Sequence, residues 1–248
     1  LENDGFGPHA AATEFQRLLT RATGRGFSAV ILPGNRVGND EIAVGLFYDP
    51  SLLEPVGAAA TLSAPAFDDL SRQPLAQVFR EHASGVTFLA AVNHLKSKGS
   101  CPDEGENKRQ NDGQGCWNPA RTEAVRAQVA WLQNLAKQSQ TAQILVMGDM
   151  NAQRREDPVR AFTDSGYTDL VEKLAGNPSY TFVYRGETGT LDYVFTSPSL
   201  AAAARQARAW HINADWPQNV ELPKPWLRMS DHDPVVVDFE LSQADTAD

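Results

Sequence analysis

Ile144-Leu145-Val146-Met147-Gly148-Asp149-Met150-Asn151 is the stretch that sets the reading of this chain. A short apolar run, bounded by a glycine and polar residues, reads as a buried strand over Gln143–Met147. It stops at Gly148, and a carboxylate and an amide follow at once. Before it lies Pro119–Lys137, where Val125, Val129, Leu132 and Leu135 fall on one face at helical spacing. After it, Asp157–Ser165 reads as a short helix with Pro158 near its start. A helix, a buried strand and a helix in succession predict layers of helices packed on a sheet.

The same pattern extends outward. Pro8–Thr23 reads as a helix with Pro in its first turn and Gly24 beyond its end. Ser28–Leu32 and Glu41–Tyr48 read as strands, the second stopped by Asp49-Pro50. Pro74–Arg80 and Val86–Asn93 look like an antiparallel pair around Ala83-Ser84-Gly85. Thr181–Tyr184 and Leu191–Thr196 flank the turn-like Gly186–Gly189, and Ala204–Asn213 and Val235–Glu240 supply the last strands. The expectation is one α/β or α+β domain with two packed sheets over residues 1–241, followed by a polar tail over 242–248.

With 248 residues the chain can bury one large core. At 42% hydrophobic and 21% charged residues it falls among globular chains rather than disordered or fibrous ones. Its longest apolar runs are far too short to span a bilayer, so no membrane is expected. No basic and apolar leader is visible, and the first residue is Leu1 rather than Met, which reads as a processed or partial chain. The net charge of −9 argues against a tight, non-enzymatic DNA binder, because such proteins neutralise phosphates with basic surface. It does not argue against an enzyme that gathers carboxylates for metal ions.

The two cysteines, Cys101 and Cys116, enclose a polar, glycine-rich stretch with almost nothing to bury. They read as a disulfide, worth about 3 kcal/mol for a loop of about 15 residues in the chain-entropy model; two unrelated thiols is the other reading. A disulfide implies an oxidising compartment, hence a secreted, extracellular or periplasmic protein. No further Cys or His stands at zinc-ligand spacing.

The candidate chemistry lies where strands end. Val86–Val92 runs into Asn93-His94-Leu95-Lys96-Ser97, Ile144–Met147 into Gly148-Asp149-Met150-Asn151, and Asp192 interrupts Leu191-Asp192-Tyr193-Val194-Phe195. The last strand follows Ser230-Asp231-His232-Asp233-Pro234. Taken singly, Asp149 and Asn151 read equally well as turn and capping residues. His94 reads as a satisfied polar side chain, and Asp231–Pro234 as a solvated turn. Asp192 is harder to dismiss, since a carboxylate in an apolar run needs a partner. Acidic groups and histidines converging on one sheet edge need a cation or a proton between them.

In this order, with Glu2 ahead of them, the motifs resemble those of the DNase I-like endonuclease/exonuclease/phosphatase family over nearly the whole chain. The segment from Asn93 through the cysteine loop to Trp117 and Arg121 resembles the bacterial extracellular-nuclease branch in particular. The resemblance implies a four-layer sandwich of two packed mixed sheets flanked by helices. The family's first strand would precede Leu1, so the domain is expected to lack it and Glu2 to stand at the chain's start.

By the same resemblance Glu2 and Asp231 are metal ligands, and Asp149 and Asn151 hold the attacking water and the scissile phosphate. His94 contacts that phosphate, and Asp192 orients His232. Arg121, Lys96 and Asn93 are expected to bind substrate. Lys96, Lys98, Lys108, Arg109 and Arg121 together suggest a basic rim in an otherwise acidic chain. The implied reaction is phosphodiester hydrolysis with Mg²⁺ or Mn²⁺ (Ca²⁺ being a further possibility). The implied partner is DNA, or RNA, held through its backbone by a monomer and cut with little sequence preference. The alternatives are hydrolysis of lipid or inositol phosphates, and a binding module that has lost the chemistry.

Overall fold

The strand over Ile144–Asp149 is a central strand of a six-stranded mixed sheet. The computed structural model describes all residues except 33, 69, 177–178, 218–227 and 243–248; apart from residue 242, the expected polar tail lies outside the described residues. In chain order the elements are α1 (Ala11–Thr23), β1 (Ser28–Ala29), β2 (Phe47–Tyr48), β3 (Leu53–Thr61), α2 (Pro65–Asp68), β4 (Arg72–Glu81), β5 (Thr87–His94) and α3 (Asn118–Gln138). They continue with β6 (Ile144–Asp149), α4 (Asp157–Asp164), β7 (Thr168–Asp169), α5 (Leu170–Ala175), β8 (Phe182–Tyr184) and β9 (Glu187–Gly189). Last come β10 (Asp192–Thr196), α6 (Pro198–Ala201), β11 (Ala204–Ala209) and β12 (Val235–Phe239).

The large sheet runs β3-β4-β5-β6-β10-β7. Only β5 and β6 are parallel in it, as the α3 crossover between them requires; the other neighbours are antiparallel. Both faces are covered, which explains the near-continuous apolar runs of the central strands. On one face Leu89, Ala91, Val146, Tyr193 and Phe195 pack with Val125, Val129 and Leu132 of α3 and Phe162 of α4. On the other, Leu75, Phe79, Phe88 and Ala90 meet Val30, Leu32 and Leu46 around the β1–β2 pair. Val194, Leu145 and Met147 meet Ala204, Ala207, Val235 and Val237 of the β11–β12 pair. The result is an α/β fold of mixed sheet flanked by helices.

Several expected elements are shorter in the structure. Ser28–Leu32 and Glu41–Tyr48 keep a two-residue strand each, the second with an isolated bridge at Ile42 besides. The strand expected to reach Asn213 ends at Ala209, because the following loop is pinned by Asp233. The edge strand β3 had no sequence signal: Leu-Glu-Pro-Val-Gly-Ala-Ala-Ala-Thr lacks alternation and carries Pro55 and Gly57. An edge strand tolerates both, and the register shifts between Val56 and Ala60, with Gly57 at φ 72°.

Candidate active site

Register sets out the site. Arg72 on β4 pairs with His94 on β5, His94 pairs with Asp149 on β6, and Asp149 pairs with Asp192 on β10. Four strands therefore end in a row of chemically active side chains at one sheet edge. Gly148 makes the row possible. Its φ is 138°, and a Cβ there would stand 2.0 Å from the carbonyl oxygen of Asn93, so only glycine lets β6 lie so close to β5.

Asp149 is held by its own turn. Asn151, at φ 47°, donates its backbone N–H to Asp149 Oδ1 (2.7 Å) and its Nδ2 to Asp149 Oδ2 (3.1 Å) and to the carbonyl of Leu95 (3.0 Å). His94 Nε2 lies 3.4 Å from Asp149 Oδ2 and 3.4 Å from Arg72 Nη1. Burial and the neighbouring Arg72 push the His94 imidazole down to about 4, so it is neutral at neutral pH. Burial, with Asp192 close by, pushes Asp149 up to about 7. Two half-buried carboxylates facing each other share a proton or need a cation.

His232 reaches the row from the loop before β12. Its Nδ1 is 2.7 Å from Asp192 Oδ2. Burial alone would lower its pKa, but the hydrogen bond to Asp192 and the charges of Asp192, Asp149 and Asp231 prevail and raise it to about 9. The loop is anchored on both sides. Thr181 Oγ1 accepts from the N–H groups of Leu191 and Asp192, and the Thr181 carbonyl accepts from the N–H of Asp233. The Asp233 side chain takes the N–H groups of Ile212, Asn213 and Ala214 and meets His211 Nδ1 at 2.8 Å; Asn213 then donates to the carbonyl of His232 (2.8 Å). Burial would raise the Asp233 pKa, yet these donors hold it below the ordinary value.

One cleft of about 980 Å³ is lined by His94, Asp149, Asn151, Asp231 and His232 together. Asp149, Asp192 and His232 each present a ligand atom within 4.8 Å of the others, a group able to coordinate a divalent metal ion. Its carboxylate oxygens suit a hard cation.

Other expected residues are placed differently. Glu2, expected as a metal ligand, is exposed, forms a β-bridge with Ile42 and stands outside the Asp149–Asp192–His232 group. Asn93, expected to bind substrate, is 2% exposed, and its Nδ2 donates to Gln128 of α3 (2.8 Å), so its side chain is turned away from the cleft. Arg121, expected on phosphate, is fully buried; Nη1 donates to the Lys96 carbonyl (3.0 Å) and Nη2 to that of Gln114 (3.3 Å). Lys96, half-buried, is engaged by its own loop. Its ammonium reaches the carbonyls of Ser97 and Gly99 and sits 5.1 Å from the Trp117 ring centroid. Each is taken up by another partner: Asn93 by the Gln128 side chain, and Lys96 and Arg121 by backbone carbonyls of the segment between β5 and α3.

The loop itself is closed by the disulfide Cys101–Cys116. It docks on the start of α4, where Gln114 exchanges hydrogen bonds with Asp157, and Lys98 pairs with the buried Glu156. Its residues Lys98, Arg109, Asn111 and Gly115 form one wall of the cleft.

Sequence reading missed Arg72 and the facing wall. Arg72 lies in an unremarkable Ser-Arg-Gln-Pro and becomes visible only through its register opposite His94. The wall is the β8–β9 hairpin, whose Phe182 bridges His232 and lies 4.8 Å from its ring, while Tyr184 stacks 6.1 Å beyond. The aromatic alternation of Thr181–Tyr184 was the available signal, and it marked a strand without saying what the strand faced.

Comparison with known proteins agrees with this geometry. The model of the Endonuclease/Exonuclease/phosphatase family matches residues 17–232, and the chain belongs to that family. No curated protein sequence matches. Among solved structures, the fold is similar to a mannosyl-6-phosphatase of Bacteroides thetaiotaomicron (TM-score 0.64, 17% identity, covering 92% of this chain and 82% of that one). It is also similar to an endonuclease/exonuclease/phosphatase family protein of the same organism (0.63, 16%, 90% and 78%). An AP endonuclease of Archaeoglobus fulgidus is a third similar structure (0.56, 16%, 97% and 87%). At these identities the likeness is one of fold. Among the described residues no helix is long and apolar enough to cross a membrane.

Proposed function

We propose that the chain is a metal-dependent phosphodiesterase that cuts DNA, or RNA, internally and with little sequence preference. We place it in the bacterial extracellular-nuclease branch of the family. The observation that carries this is the row His94–Asp149–Asp192 on three adjacent strand ends, completed by the 2.7 Å contact of His232 with Asp192. The disulfide in a polar loop supports a secreted or periplasmic address, and the chain is proposed to act as a monomer. We place the helices α3 and α4, the large sheet, the β1–β2 and β11–β12 pairs and α1 as the four successive layers of the family's sandwich.

Mg²⁺ or Mn²⁺, with Ca²⁺ as an alternative, would be held at Asp149 and Asp192 with Asp231 beside them, and Glu2 is proposed as the further carboxylate of this set. When bound, such an ion polarises a phosphoryl oxygen and stabilises the leaving alkoxide. His94, neutral and flanked by Arg72, donates toward the phosphate's non-bridging oxygens. Asn151 keeps Asp149 in one rotamer so that an attacking water is held in line. Asp192 fixes the His232 ring and favours its protonated form, so His232 stands as imidazolium beside the phosphate and gives its proton to the leaving oxygen, regaining it from solvent, while the Asp149 carboxylate takes the proton of the water it holds. Contacts are to phosphate rather than to base edges, hence the weak sequence preference.

Nicking of supercoiled plasmid with Mg²⁺, and its loss in EDTA, tests the reading. Hydrolysis confined to sugar, inositol or lipid phosphates, with plasmid left intact, would transfer the site to that substrate class. Plasmid bound but never cut, with any divalent ion, would make the chain a binding module.

A further inference from the structure

The cleft is larger than one phosphate needs. At about 980 Å³ it stands at the upper end of what a drug-sized ligand fills. Its walls beyond the row are two loops that the proposed chemistry does not use.

Five basic residues lie on or beside the first wall, and their environments differ. Arg121 is buried on backbone carbonyls, Lys96 is folded over Trp117, and Lys98 is paired with Glu156. Lys108 is not part of the cleft lining. Arg109 lines the cleft, is exposed, and has no carboxylate partner among the described residues. It stands on a loop tied at both ends: the Cys101–Cys116 bond closes it, and Arg121 holds the chain at the Lys96 and Gln114 carbonyls. The hairpin wall carries two aromatic rings, with Glu187, Thr188 and Gly189 beside them. Phe182 and Tyr184 lie within 12° of parallel, Tyr184 is 54% exposed, and the Arg185 guanidinium lies 5.2 Å from its ring centroid. Phe182 touches the His232 ring, so this wall begins at the reacting position and leads outward.

We propose that the disulfide loop and the β8–β9 hairpin form a subsite for the substrate strand beside the scissile phosphate. Arg109 binds a neighbouring phosphate there, and Tyr184 stacks on an unpaired base. The inference rests on the phosphodiesterase reading of the same cleft and narrows it: the substrate is a single-stranded or locally opened polynucleotide. A sugar phosphate or an inositol headgroup offers neither a base face nor a phosphate at the next backbone position. A base within an intact duplex has both faces covered by its neighbours and cannot meet Tyr184.

The test is equilibrium binding of a fluorescein-labelled oligodeoxythymidylate, followed by anisotropy in EDTA over a range of salt, so that no bond is cut. Arg109→Gln should weaken binding about 10-fold and lower the slope of log K against log salt by about 0.7, the share of one single-strand phosphate. Tyr184→Ala should weaken binding by about 5- to 100-fold, the usual effect of one lost base stack, and leave the slope alone. A duplex of equal length should bind the wild-type chain more weakly than the single strand. No binding by the wild-type chain, or wild-type affinity and slope in Arg109→Gln together with wild-type affinity in Tyr184→Ala, overturns the subsite. Hydrolysis by the wild-type chain in Mg²⁺, read on the same oligonucleotide and on bis(p-nitrophenyl) phosphate, separates the two claims. Binding as predicted without hydrolysis of either compound sinks the phosphodiesterase reading and keeps the subsite, while hydrolysis of both with unaltered variant binding does the reverse.

Discussion

His232 Nδ1 stands 2.7 Å from Asp192 Oδ2, forty positions apart in sequence and on different strands' approaches to the same edge. The contact is made from both ends: Thr181 holds the backbone N–H of Asp192, and its carbonyl holds the residue after His232. A charged hydrogen bond so placed sets the tautomer, the ring orientation and the basicity of the imidazole at once.

Asp192 and His232 should therefore behave as one unit in catalysis. His232→Ala and Asp192→Asn are each expected to lower kcat by at least about 10²-fold, and the double variant should be little worse than His232→Ala. Steady-state kinetics on plasmid or oligonucleotide checks this, with circular dichroism as a control for folding. Fully additive losses would show that Asp192 acts through the ion alone and does not work through His232.

The two histidines of the site should titrate in opposite directions in metal-free protein. His94 is depressed to about 4 by burial and Arg72, and His232 is raised to about 9, its contacts with Asp192 outweighing burial. The unfolded chain takes up its histidine protons near pH ~6.5. The His232 contribution to stability is thus complete below that value and is lost as pH rises toward 9. His94 acts the other way: as pH falls from ~6.5 toward 4 the unfolded chain binds its proton first, and stability declines. Urea unfolding in EDTA should show a wild-type decline from pH ~6.5 to 9 that His232→Gln flattens. A decline of equal size in both proteins would mean that His232 is not raised.

Gly148→Ala should be among the most damaging single substitutions. A methyl group would meet the Asn93 carbonyl oxygen at 2.0 Å, and the backbone sits at φ 138°. Forcing β5 and β6 apart at their functional ends is expected to cost on the order of 3–5 kcal/mol. Denaturant midpoints decide it, and a variant as stable as wild type would show that the two strand ends are not held at this distance.

Arg121 is expected to act on structure rather than on phosphate. Arg121→Met removes the donors to Lys96 and Gln114 and should lower stability by about 2–4 kcal/mol. The salt slope of oligonucleotide binding should keep its wild-type value. A slope smaller by about 0.7 would return Arg121 to the substrate as a phosphate ligand.

The disulfide should be quantitative and stabilising. Thiol titration of the denatured, unreduced chain is expected to find no free thiol, and Cys101→Ser/Cys116→Ser should lose about 2–4 kcal/mol. Two titratable thiols in the unreduced protein would contradict the pairing.

Much of the fold was legible along the chain because the signals are local. The apolar face of α3, the run of β6 and the Gly24 stop after α1 each follow from spacing within a few residues. The strand β3 was not legible, since its Pro55, Gly57 and alanines form a strand only because β4 offers an edge to pair with. Among site residues, His94, Asp149, Asn151, Asp192 and His232 announced themselves as polar groups interrupting or ending apolar runs. Asn93 and Lys96 bore the same outward sign and Arg121 was marked by its likeness to the family, yet hydrogen bonds to Gln128 and to backbone carbonyls occupy them.

The sequence by itself determined which side chains stand at strand ends, because a strand ends where apolar residues stop and that boundary is a local property. It also determined that the two cysteines enclose a loop with no core of its own. Only the tertiary structure decided that Arg72, His94, Asp149 and Asp192 form one row, that Arg109 rather than Arg121 or Lys96 faces the cleft, and that Phe182 and Tyr184 wall it opposite. Those facts depend on strand register and on which buried carbonyls need a donor, and both are settled by pairing between segments distant in sequence.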